Sequence, residues 1–138
     1  MNTNKILVAG LIGGVFAFFF GWLVFGFLFP DLMKIPLEGF MKAEADMVMW
    51  AMIASNLLWG LLMAYIFVQW ASISTWLAGA KAGATLGFLI SAAYDFGFFA
   101  MTNMYTLNSM LIDIVVNTLF VGIMGAVIGW WLGRKLKS

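Results

Sequence analysis

The chain has 138 residues, 64% hydrophobic and 9% charged, against about 25% charged residues in an ordinary soluble domain. So apolar a composition, with a net charge of +1, marks an integral membrane protein and leaves no broad basic surface for nucleic acid. Cysteine and histidine are both absent, which removes disulfides, thiolate sites, the usual zinc and haem ligands and the commonest general base, so no metal or cofactor is expected.

The first apolar run extends from Ile6 to Phe29 and is stopped by Pro30. It exceeds the apolar core of a secretory signal, about 7 to 15 residues, and ends without a small-x-small cleavage pattern, so it reads as a retained span. Residues 30–46 form a loop in which Asp31, Glu38, Glu44 and Asp46 outnumber Lys34 and Lys42. Glu38 and Lys42 pair at i,i+4 beside apolar Leu37, Phe40 and Met41, a pattern that suits a short interfacial helix or a solvated loop equally.

Three more runs, 47–71, 77–102 and 107–132, reach the roughly 20 residues a bilayer-crossing helix needs. Trp50, Trp70, Trp76, Tyr105, Trp130 and Trp131 stand at their ends, where amphipathic rings favour the headgroup level. The connections are too short for a separate domain. Residues 1–138 therefore read as one transmembrane domain, an all-α four-helix bundle in contact with the lipid bilayer. Lys5, Lys81, Arg134, Lys135 and Lys137 share one side, so the positive-inside rule places both termini in the cytoplasm.

In the third span Gly79, Gly83, Gly87, Ser91 and Asp95 recur every four residues; the fourth repeats the spacing with Asp113, Asn117, Val121, Gly125 and Gly129. Each series is an i±4 ridge, and glycine along it lets two backbones approach closely. Antiparallel neighbours joined by a short turn reflect about its midpoint, Met104. That register sets Asp95 beside Asp113, Ser91 beside Asn117, and glycine beside glycine at the far end. Because i+4 steps drift by about 40° each in a straight helix, contact along the whole series requires the helices to wrap or cross. Asn56, in the second span, lies at the depth of Asn117 and would bring an amide to the same level. In the first span Gly10, Gly13, Gly14, Ala17 and Gly21 make a small-residue face, while "FAFFF" is expected to face lipid or a partner subunit.

Asp95 and Asp113 then lie about 10 Å below the outer boundary. Two carboxylates in contact there do not both ionise readily, and one proton is shared between them. Buried acids facing a bundle interior mark ion pathways, here for protons or monovalent cations. The competing reading makes the cluster, with Asn56, Asn117, Ser91 and Tyr94 as hydrogen-bond partners, a fastener between helices. "YD" at Tyr94 and Asp95 resembles the first motif of intramembrane aspartyl proteases, but their "GxGD" and "PAL" motifs do not occur. No enzymatic chemistry is expected, and the preferred reading is a helix-packing accessory subunit or homo-oligomer.

Taken together, "GWLVFGFLFPDLM", "NLLWG", "YDFGFF" followed by "TN", and "LIDIVV" ending in "GAVIGWW" resemble a group of small four-span bacterial membrane proteins of unknown function. The resemblance implies a four-helix fold and the bacterial inner membrane; it carries no activity.

Overall fold

The computed structural model describes residues 3–28, 44–103 and 105–137. Helix α1 (Thr3–Gly21) continues as a π-helix over Trp22–Leu28, and α2 (Met49–Tyr65) as a π-helix over Ile66–Trp70; α3 is Trp76–Met101 and α4 is Leu107–Lys137. There is no strand among the described residues. All four helices are long and apolar enough to cross a membrane. Their ends follow the apolar runs to within a few residues, except that α4 continues to Lys137, because the basic tail contains nothing that breaks a helix. Both prolines, Pro30 and Pro36, fall between α1 and α2. A single 3-10 turn, Glu44–Asp46, precedes α2; the rest of the expected interfacial helix lies outside the described residues.

The turns are closed by local bonds. The α2–α3 connection turns through Ser72, whose φ of 51° is left-handed, and α3 begins at Thr75, whose side chain accepts from the Ala78 amide at 3.1 Å. At the other end of α3, the Thr102 hydroxyl donates to the Phe98 carbonyl at 2.6 Å. Helix α4 starts with a reciprocal cap: the Ser109 amide donates to Thr106 Oγ1 at 3.1 Å, and the Thr106 amide to Ser109 Oγ at 2.9 Å.

Glycine contacts sort the helices into two hairpins. A methyl group built on Gly10 would lie 2.8 Å from Leu61 Cα, and one on Gly14 2.7 Å from Leu57 Cα, so α1 and α2 touch backbone to backbone. In the second hairpin, Gly79 faces Gly129 and Gly83 faces Gly125, each with 3.1 Å from such a methyl to the facing Cα, and Gly87 faces Val121 at 2.8 Å to its Cβ. These pairs are related by reflection about position 104. The contact persists from one end of α3 to the other, which requires wrapping; a repeat longer than 3.6 residues corresponds to right-handed wrapping.

The hairpins join through α1 and α4. Gly13 receives Ile128, whose Cδ1 lies 2.5 Å from where a Cβ would stand, and Met63, Phe67, Met124 and Leu132 close the core toward the end that carries both termini. The phenylalanine cluster is divided. Phe16 stacks on Phe20 and Phe20 on Phe120, each at 5.1 Å between centroids, so these rings serve the α1–α4 contact, while Phe19 stays 63% exposed. The small-residue face of α1 is spent inside the chain, with Gly10, Gly13, Gly14 and Ala17 all buried.

Candidate functional site

The α3–α4 register carries Asp95 and Asp113 to the same level beneath the turn, each six residues from its helix end, or about 9 Å at 1.5 Å per residue. Asp95 is the buried charged residue of the described chain, 5% exposed; Asp113 is half-buried. The two carboxyl groups interact directly. The Asn117 amide donates to the Asp113 backbone carbonyl at 2.9 Å and its side chain also engages the Asp113 carboxyl. Ser91 is half-buried one turn below Asp95 on α3. Among the described residues no histidine, cysteine or third acid joins this cluster to make a metal-binding group.

Tyr105 belongs to the site, although its position at a helix end reads as an interfacial aromatic. It immediately precedes the Thr106–Ser109 cap, so the first turn of α4 fixes its direction, and its hydroxyl reaches the Asp95 carboxyl. Burial, then the Asp113 and Asp95 carboxylates, push that hydroxyl up from 10.0 to about 12. A raised folded-state value favours the neutral phenol, so stability linked to Tyr105 is complete below pH 10 and drains as pH rises toward 12. The difference between alkaline absorbance titrations of the native protein and Tyr105→Phe should therefore show one phenol ionising near pH 12. A difference component centred on pH 10 would contradict this placement.

Two residues expected at the cluster stand elsewhere. Tyr94 is 65% exposed and stacks on Phe98 at 6.3 Å between centroids, because neighbours in sequence point about 100° apart around a helix. Asn56 lies in the α1–α2 hairpin; its amide donates to the Met52 carbonyl at 2.9 Å, and its own carbonyl packs on Gly14. Its depth matches that of Asn117, but its azimuth is set by Gly60, one turn further on, which faces Gly10 and Gly14.

Beneath the acids the seam closes. Gly87 meets Val121 and the Asn117 carbonyl, and Gly83 and Gly79 continue the contact against Gly125 and Gly129. Chemically, the cluster offers two carboxylates, a phenol and an amide within a dry wedge that opens toward the turn. The chain matches no family model, no curated protein and no solved structure.

Proposed function

We propose that the protein is a non-enzymatic multi-pass membrane subunit acting through helix–helix association, as a homo-oligomer or as an accessory subunit of a larger membrane assembly. The observation that carries this reading is a shallow groove of about 390 Å³ along the outward face of α2, floored by Ala51, Ala54 and Ser55 and flanked by Trp50, Leu58 and Trp59. Ala51 and Ser55 stand one helical turn apart, the small-xxx-small spacing that lets a second helix approach closely in lipid. The corresponding faces of α1, α3 and α4 are already filled within the chain. Lys5, Lys81 and Arg134, gathered toward the end with both termini, support cytoplasmic termini in a bacterial cytoplasmic membrane.

A proton or cation conductor through Asp95 and Asp113 is the weaker reading. Conduction through this hairpin would have to pass the Gly79–Gly87 seam, where α3 and α4 touch backbone to backbone.

The chain has no cysteine, so a single introduced thiol reports on one position. Oxidation of Ser55→Cys in native membranes should give a disulfide-linked dimer, or an adduct with another membrane subunit, while Leu119→Cys, at a residue 62% exposed on α4, should stay monomeric. Equal crosslinking at both positions, or none at position 55, would overturn the association reading.

A further inference from the structure

Asp95 Oδ2 is buried and has no hydrogen-bond partner among the protein atoms, although the residue is 5% exposed. A buried carboxylate oxygen left unpaired is costly, so such a group calls for an explanation. The oxygens around it come from three places: the Asp113 carboxyl and the Asn117 side chain on α4, and the Tyr105 hydroxyl from the turn. With the Asn117 amide nitrogen donating to the Asp113 backbone, its side-chain oxygen remains an acceptor. Acceptors outnumber donors in the cluster. The basic residue on α3, Lys81, lies about 21 Å away along the helix, too far to supply a cation.

We propose that Asp95, Asp113, Tyr105 and Asn117 form a binding site for one dehydrated monovalent cation of sodium or lithium size, entered from the turn end of α3 and α4. All four residues present oxygen, the donor that suits hard cations. The half-buried Asp113 and Tyr105 provide the way in, and the contact of Gly87 with Val121 closes the floor. Calcium takes six to eight oxygens and magnesium a strict octahedron with retained water, whereas two carboxylates converge here and no third acid joins them among the described residues. This site is independent of the α2 groove, so its fate leaves the association reading untouched.

The test is equilibrium binding of sodium-22 to the purified full-length protein in detergent at one mildly alkaline pH, with choline replacing sodium as the background salt. The native protein should bind one sodium saturably, with lithium displacing it better than potassium or calcium. Asp95→Asn should abolish binding, and Tyr105→Phe should weaken it about tenfold by removing one oxygen ligand. Absence of saturable binding by folded native protein, unchanged affinity in Tyr105→Phe, or displacement by calcium at least as effective as by lithium would each overturn the proposal. Should Asp95→Asn fail to fold, Tyr105→Phe decides, because its side chain lies at the turn and outside the glycine seam.

Discussion

Gly125→Leu should abolish the native packing of α3 on α4, with a loss of about 3 kcal/mol or more, the upper range for overfilling a close-packed interior. A side chain at this position would run into the Gly79 carbonyl oxygen and stand 3.0 Å from Gly83 Cα. Backbone cannot rotate out of the way as a flexible side chain does, so the two helices must separate. Separation would also pull Asp95 from Asp113. The control is Gly97→Ala on the same hairpin: a methyl there meets nothing within 4 Å, and alanine favours helix over glycine by roughly 0.5–1 kcal/mol. Chemical unfolding in bicelles should thus show strong destabilisation for the first substitution and slight stabilisation for the second. Equal effects would mean that the seam is not what holds the hairpin.

For the acid pair, removing the less buried partner should do more harm. Asp113→Leu leaves Asp95, 5% exposed and already with one unpartnered oxygen, without its facing carboxyl and unable to reach water. That cost should be about 3 kcal/mol, the upper end for stranding a buried polar group. Asp95→Leu instead leaves Asp113, which is half-buried and rehydrates toward the turn, and puts an apolar side chain in a dry position; about 1 kcal/mol is expected. Burial alone would order the two substitutions the other way. Thermal unfolding of the two variants at one pH separates these orders.

Much of this arrangement was legible in the residue pattern. Apolar runs located the four helices because a bilayer-length helix must satisfy its backbone internally, and the four-residue spacing of Gly79, Gly83 and Gly87 located their partner because only glycine permits that approach. The azimuth of α2 was harder to read. Depth along a helix says nothing about direction, and Asn56 faces α1 because Gly60 does; the decisive sign was a small residue one turn from the amide. Tyr105 was masked by the general preference of aromatics for helix ends, and its aim depends on the cap formed by Thr106 and Ser109. The π-helical continuations of α1 and α2 leave no mark in the sequence, since a shift from i+4 to i+5 bonding answers to packing by other helices.

The central claim is that α3 and α4 seat Asp95 and Asp113 against each other inside the protein, and the coupling energy from a double-mutant cycle measures that contact most directly. Unfolding of Asp95→Leu, Asp113→Leu and the double variant should give a coupling of about 1 kcal/mol, within the range of about 0.6 to 1.7 kcal/mol for polar contacts between membrane helices, with the double variant less damaged than the sum of the singles. Effects that add to within about 0.3–0.5 kcal/mol, as they do for separated sites, would contradict it.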